Sequence, residues 1–261
     1  MTIVVEKLSD HLGVQIKHFD CSKKLDVVEV IKLNKIIQEH HFICFKNQKI
    51  DEESLAQFTK NFGDLEAYPE KDKTKGKIEI FNVSNVSEDG EHLSPNDQRV
   101  ILQKNNSRWH TDSSYRYFPS IFSVLYGQET LPLDATGGQT QFSNMLLAYK
   151  SLPEDKKILL EPLHQVHSYN DIRRLEPGLP ELTQSEKSNF PPVTHPVIRV
   201  HPDRDHQKSL YFTSNTSLEI GGMGLEEGRD LHKWLVDYIS KEKFCYKHFW
   251  EINDLIMWDN R

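Results

Sequence analysis

The sequence predicts an α+β fold in which short, mainly antiparallel strands build a sandwich or barrel flanked by helices. Three observations point there. From residue 76 onward, β-like runs recur between polar loops. Residues 26–39 and 225–240 carry apolar positions at helical spacing. A third helical stretch, SNMLLAYKSLPEDKKILLEPL (143–163), interrupts the strands.

Taken in order, DVVEVIKLNKIIQE (26–39) places Val27, Val30, Ile31 and Ile37 near one helical face. FICFK (42–46) reads as a short buried strand. Asp51 reads as the N-cap of the next helix, with Glu52 and Glu53 favourable to the helix dipole. Leu55, Phe58 and Phe62 form its apolar stripe, and Gly63 is placed to end it. The strand-like runs that follow are KIEIFNV (77–83), IFSVLYG (121–127), GQTQF (138–142), LHQVHSY (163–169) and THPVIRVH (194–201). SLYFTS (209–214), HFWEI (248–252) and DLIMW (254–258) complete the set. Between 225 and 240, Leu231, Trp234, Leu235, Tyr238 and Ile239 fall on one helical face. Two long polar stretches, 84–108 and 170–194, suit either covers over a site or mobile surface insertions.

A chain of 261 residues can bury a substantial core. No apolar run approaches the roughly 20 residues that span a bilayer, and the N-terminus MTIVVEKLSDHLG has no signal-peptide pattern. The expected location is the cytoplasm. A net charge of −7 argues against a broad nucleic-acid footprint. Cys21, Cys44 and Cys245 are far apart and in no Cys-x-x-Cys pair, so they are expected as free thiols, with Cys44 buried.

The stretch SRWHTDSSYRYFP (107–119) sets His110 and Asp112 two positions apart. On a strand, such residues share a face and present an imidazole nitrogen and a carboxylate oxygen to one ion. The spacing alone decides nothing, because His18-Phe19-Asp20 and His201-Pro202-Asp203 repeat it. The second runs into a charged turn and the first has no polar cluster beside it, so both are expected as surface or turn residues. Non-haem Fe(II) oxygenases take two His and one carboxylate, and periodicity names no second His.

The segment 109–153 resembles the core of the Fe(II)- and 2-oxoglutarate-dependent taurine dioxygenase / 2,4-dichlorophenoxyacetate dioxygenase (TauD/TfdA) family. Its parts are Trp109-His110-Thr111-Asp112, a run ending in Tyr126, Gly137-Gly138-Gln139-Thr140-x-Phe142, and a helix with Ala148, Tyr149 and Leu152. The resemblance continues in 42–66, 195–202 and 253–261, and the wording HTDSSYR and GGQTQF is closer to the phenoxyacetate branch. It implies a single dioxygenase domain over 1–261 with a double-stranded β-helix (jelly-roll) core and flanking helices, incomplete at the C-terminus. It also implies that His110 and Asp112 bind iron and that Thr140 hydrogen-bonds a carboxylate of the co-substrate 2-oxoglutarate. Asn106, Tyr68 and Tyr115 fall where relatives line the substrate pocket. Tyr68 replaces the histidine of the taurine enzyme, so taurine itself is not the expected substrate. The implied reaction is hydroxylation of a small anionic organic acid, phenoxyacetate- or sulfonate-like, by O2 with release of succinate and CO2. Arg108, Arg173 and Arg174 are candidates to meet its anionic group. Self-association into a homo-oligomer is compatible with all of this; a nucleic-acid or membrane partner is not expected.

In the family, a second iron-binding histidine follows the Trp258-Asp259-Asn260-Arg261 motif by four residues, and an arginine for 2-oxoglutarate comes soon after. Neither position exists in this sequence. One account makes the chain a fragment, since DLIMWDNR would otherwise end inside a sheet. The other makes it a degenerate, non-catalytic jelly-roll protein that binds small molecules. The fragment account is favoured. His195, His201 and His248 lie on strand-like runs but outside the family's ligand position. A zinc or manganese hydrolase ranks last, for want of a general base beside the pair.

Overall fold

A computed structural model describes residues 3–66, 79–87, 89–132 and 134–261. In chain order they form β1 (Val5–Lys7), β2 (Val14–Ile16), α1 (Val27–His40), β3 (Phe42–Phe45), α2 (Glu52–Lys60) and α3 (Gln98–Asn105). Next come β4 (Phe122–Tyr126), β5 (Thr140–Ser143), α4 (Met145–Lys150), α5 (Glu154–Leu160), β6 (His164–His167), α6 (Asp171–Leu175) and α7 (Gln184–Asn189). The last are β7 (Val193–Pro196), β8 (Ile198–Val200), β9 (Lys208–Leu210), α8 (Leu225–Ile239), β10 (Cys245–His248) and β11 (Leu255–Asp259). The mixture is α+β, as the sequence predicts. Among the described residues, no helix is long and apolar enough to cross a membrane.

The chain divides into two compact units, each gathered from separate stretches: Met1–Phe81, Ile121–Leu147 and Ser240–Asn260 in one, and Asn82–Ser120, Ala148–Ile239 and Arg261 in the other. The first unit holds a five-stranded sheet in the order β1-β2-β3-β11-β4, with only β2 and β3 parallel, and a β5–β10 pair. Its strands 42–45 and 255–257 are buried on both faces, which explains their unbroken apolar runs. Leu33, Ile37, Phe45, Phe58, Leu255 and Met257 share one core cluster. Burying each such side chain stabilises the fold by about 1.5–3 kcal/mol.

Helix α1 starts on a capping box in which Asp26 accepts from Glu29 N and the Glu29 side chain accepts from Asp26 N. Its buried face differs from the expected one. Val27 and Ile31 are 75% and 62% exposed, whereas Leu33 and Ile37 are fully buried with Val30 and Ile36 packed beside them. The stripe 30-33-37 is also helical, and Leu33, between Lys32 and Asn34, takes the buried place expected of Ile31. The Asp51 N-cap is borne out, its side chain accepting from Ser54 N. Helix α2 closes at Asn61, before Gly63, because the Asn61 amide binds Phe58 O and its side chain caps Gln57 O.

The second unit carries the antiparallel pairs β6–β7 and β8–β9. THPVIRVH is thus two strands, not one: Val197 breaks the run, its N–H bonding to Leu163 O and its carbonyl accepting from Tyr211 N. Other strand expectations shift. Residues 79–83 form no strand, with 77 and 78 outside the described residues. Pairing near 248–252 covers 245–248 instead, opposite β5. The two long polar stretches are not structureless, since 98–105 is helical and 170–194 contains α6 and α7. Thr183 caps α7 through a second capping box with Glu186. Leu102, Tyr115, Tyr169, Ile172, Leu182 and Phe190 form this unit's apolar cluster, so the supposed insertions contribute core.

Candidate metal centre

The segment that carries His110 is not a strand. Helix α3 ends at Asn105, residues 106–109 turn, and Asp112–Tyr115 form a further turn closed by Arg116 N–H to Ser113 O, with Ser113 at φ 55°. The same-face rule for strands therefore does not apply, yet the two side chains still converge. His110 Nε2 lies 3.4 Å from Asp112 Oδ1, with side chains 27% and 33% exposed. The Ser214 amide donates to Trp109 O at 2.7 Å and ties the segment to a buried stretch, 209–217.

The imidazole is oriented from its other side. Its Nδ1 is 2.8 Å from Arg108 O, a contact that requires Nδ1–H to donate; Nε2 donates to Asp112 when the ring is protonated and offers a lone pair when it is neutral. Burial opposes a proton on His110, but the hydrogen bond and charge of Asp112 and the Arg108 carbonyl outweigh it, so its pKa lies above the ordinary value. The donor set fits a first-row divalent ion. With bonds of about 2.1 Å, ligands at right angles stand about 3.0 Å apart, and the observed gap of 3.4 Å is met by a small side-chain rotation. Among the described residues, no third His, Cys, Asp or Glu atom forms a group with these two.

The other His-x-Asp pairs do other work. Asp20 accepts from Ser22 N and Oγ and pairs with Lys23, and His18 adopts φ 62°, so this pair belongs to a turn. His201 also borders a turn, in line with the turn reading, where its Nδ1 accepts from Asp203 N, although the side chain is buried. Of the candidates for a third ligand, His195 places Nε2 2.9 Å from Ser114 O, and His248 Nε2 lies 3.0 Å from Asp254 Oδ2. None of the three joins His110 and Asp112 in a metal-binding group.

Thr140 opens β5 in the first unit, opposite His248, and its Oγ1 accepts from Trp250 Nε1 at 2.9 Å. Asn106 is the exposed C-cap of α3. Tyr115 packs on Tyr169 and Phe190, with ring centroids 4.8 and 5.8 Å away. Tyr68 lies outside the described residues. Of the arginines, Arg108 pairs with Glu176 at 3.1 Å, Arg174 with Asp171 at 3.2 Å, and the Arg173 guanidinium sits 4.6 Å from the Tyr169 ring centre.

Two polar features were missed from sequence. The contact of His195 with Ser114 O braces the turn just after Asp112, across 81 residues of sequence. In the first unit, buried Cys44, His248 and Asp254 bring potential ligand atoms within 4.8 Å of one another. Lys46 Nζ already sits 2.8 Å from Asp254 Oδ1 and 2.7 Å from Glu251 Oε2. Burial and the Asp254 charge push the Cys44 thiol up to about 12, so it keeps its proton. That group is an ion-pair network with its cation supplied by lysine, and the free thiols are as expected.

Comparison with known proteins agrees with the motif blocks. The family described as "Taurine catabolism dioxygenase TauD, TfdA family" matches residues 5–261. The chain is 31% identical to an alpha-ketoglutarate-dependent 2,4-dichlorophenoxyacetate dioxygenase of Burkholderia sp. (strain RASC), over 100% of this chain and 87% of that protein. It is 29% identical to an (S)-phenoxypropionate/alpha-ketoglutarate-dioxygenase of Sphingobium herbicidovorans, over 85% and 75%. The crystal structure of AAD-2 in complex with Mn(II) and N-oxalylglycine superposes with a TM-score of 0.87 at 33% identity, covering 100% of this chain and 89% of that one.

Proposed function

The chain belongs to the taurine catabolism dioxygenase TauD, TfdA family, and from that premise we propose that it hydroxylates a small organic acid, phenoxyacetate- or sulfonate-like, using Fe(II), 2-oxoglutarate and O2. The carrying observation is the convergence of His110 Nε2 and Asp112 Oδ1 at 3.4 Å on a non-strand turn, within a chain whose residues 5–261 match the family. The match over residues 5–261 also supports one domain with a jelly-roll core.

His110 Nε2 and Asp112 Oδ1 would hold the iron. Arg108 O keeps the proton of the ring on Nδ1, so that Nε2 keeps its lone pair for the ion. Fe(II) and 2-oxoglutarate, when bound, supply the oxidising power that places one oxygen atom of O2 in a C–H bond and the other in succinate, with loss of CO2. Thr140 accepts from Trp250 Nε1 with its oxygen, which leaves its hydroxyl hydrogen to donate to a 2-oxoglutarate carboxylate. Asn106, Tyr68 and Tyr115 complete the reading as substrate contacts. For Tyr115, packing against Tyr169 and Phe190 sets one aromatic wall of fixed orientation, which suits an aryl or apolar body better than taurine. The phenoxyacetate and phenoxypropionate enzymes among the relatives support the same choice. The buried thiols of Cys21 and Cys44 suit a reducing cytoplasm.

The test uses protein expressed from its complete coding sequence. Succinate formed from 2-oxoglutarate with Fe(II) and O2 should rise on adding phenoxyacetates or alkyl sulfonates and vanish in Asp112→Ala. No succinate across that panel, including the background without substrate, overturns the assignment and favours a non-catalytic binding protein.

A further inference from the structure

The second unit contains a pocket of about 630 Å³ that His110, Asp112, Asn106 and Tyr115 do not line. Such a volume falls in the range that holds one small organic ligand. Trp109, Leu175 and Val236 give it partly buried apolar walls. Arg174, Arg229 and Lys233 line it with exposed charged heads, beside the carboxylates of Asp171 and Glu219. The positive heads are available. Arg174 and Arg229 hold only surface pairs, with Asp171 at 3.2 Å and Glu219 at 3.6 Å, and Lys233 has no acidic partner among the described residues. Exposed pairs of this kind contribute little and exchange readily for another anion.

We propose that this pocket is a second, non-catalytic binding site for an amphipathic organic anion, an aryl or alkyl body ending in a carboxylate or sulfonate. The body would lie on Trp109, Leu175 and Val236, where leaving water is favourable. The anionic end would meet Arg229 and Lys233, one helical turn apart on α8. The buried imidazole of His232 also lines the cavity, with Nε2 3.0 Å from Thr213 O. Donating there, and with its pKa lowered by burial, it stays neutral and does not add to the rim charge. The occupant would rest against the Arg108–Trp109 segment whose carbonyl oxygens hold His110 and Ser214.

The experiment is calorimetric titration of the whole chain with 2-naphthalenesulfonate, with the part of the tryptophan fluorescence that is lost in Trp109→Phe as a second readout. Saturable one-to-one binding that weakens with salt is expected. Arg229→Glu with Lys233→Glu, both on exposed positions, should weaken it by about tenfold or more, and Val236→Trp should weaken it by projecting an indole over the apolar wall. Uncharged 2-naphthalenemethanol should bind markedly less well. Asp112→Ala should leave the affinity within about twofold, which separates this site from the proposed iron site. No saturable binding at about millimolar probe overturns the proposal. So does binding that survives the Arg229/Lys233 double variant, or binding lost in Asp112→Ala.

Discussion

His167 makes the stability of this protein fall steeply in mild acid. Its ring is fully buried on β6, against His195 at 5.0 Å and Tyr211 at 5.9 Å, and both ring nitrogens lack a partner. Burial, then the positive charge of His195 and Arg199, push its pKa from 6.5 down to about 3. The sign follows from linkage. Between pH 6.5 and 3 the unfolded chain binds a proton that the folded chain refuses, so stability is present above the unfolded pKa and is lost as pH falls below it. A tenfold difference in proton affinity corresponds to about 1.4 kcal/mol, so the loss from pH 7 to pH 5 is about 2 kcal/mol. Burial depresses His195 and His232 as well, adding to the slope, whereas His110 is raised and acts in the opposite sense. Comparing pH dependences cancels these shared contributions. Urea unfolding at pH 7 and pH 5 is therefore run on the wild type and on His167→Phe. Whatever packing the phenyl ring gains or loses is the same at both pH values. The variant should lose about 2 kcal/mol less on acidification. An unchanged difference between the two pH values would show that His167 is hydrated or paired in solution, and would refute the burial argument.

Two further outcomes test the packing and the buried charge. Gly228 lies inside α8, where an alanine would ordinarily stabilise a helix by about 1 kcal/mol; here its Cβ would come within 2.2 Å of Ile220 O. Gly228→Ala should instead destabilise by about 1–3 kcal/mol on denaturant unfolding, and a gain in stability would place α8 farther from Ile220. Lys46→Met strips the cation from Asp254, whose side chain is 1% exposed, and should cost about 3 kcal/mol. Burial raises the Asp254 pKa, but His248 and Lys46 outweigh it and hold the group below its usual value. Its contribution is present above the unfolded carboxylate pKa and lost as pH falls through the folded one. The variant should thus begin acid unfolding at a higher pH, followed by circular dichroism; an unmoved acid limb would sink the ion-pair account.

What could be read from sequence was set by short-range chemistry. The cap at Asp51, the buried run 42–45 and the apolar face of α8 depend on neighbours within a few residues. The face of α1 was misjudged because spacing alone admits both Ile31 and Leu33, and tertiary packing chose Leu33. Helices inside 84–108 and 170–194 were missed because their apolar positions are few. Ile101, Ile172 and Leu182 are buried, and Leu102 partly so, by contacts that composition does not announce. Likewise, nothing local marks Lys46 and Asp254 as partners across 208 residues.

The convergence of His110 and Asp112 arises from a backbone other than the strand that their spacing suggests. Strand periodicity puts residues i and i+2 on one face, but the structure turns the chain there and still joins His110 to Asp112. What holds them is a set of directional bonds: the Arg108 carbonyl on one side of the imidazole, the turn closed at Ser113, and the carbonyl of Ser114 braced by His195. Each bond fixes a dihedral that a strand would have fixed by pleat. The spacing was therefore informative only because the ordered blocks around it, Gly137-Gly138 and Trp258-Asp259-Asn260-Arg261 among them, singled out one His-x-Asp from three. Removing the brace tests this directly. His195→Phe should weaken Mn(II) binding at His110 and Asp112 by about tenfold, in the range found for groups that orient metal ligands. His195 touches neither ligand, so unchanged Mn(II) affinity in a folded variant would mean that the turn holds the pair without it.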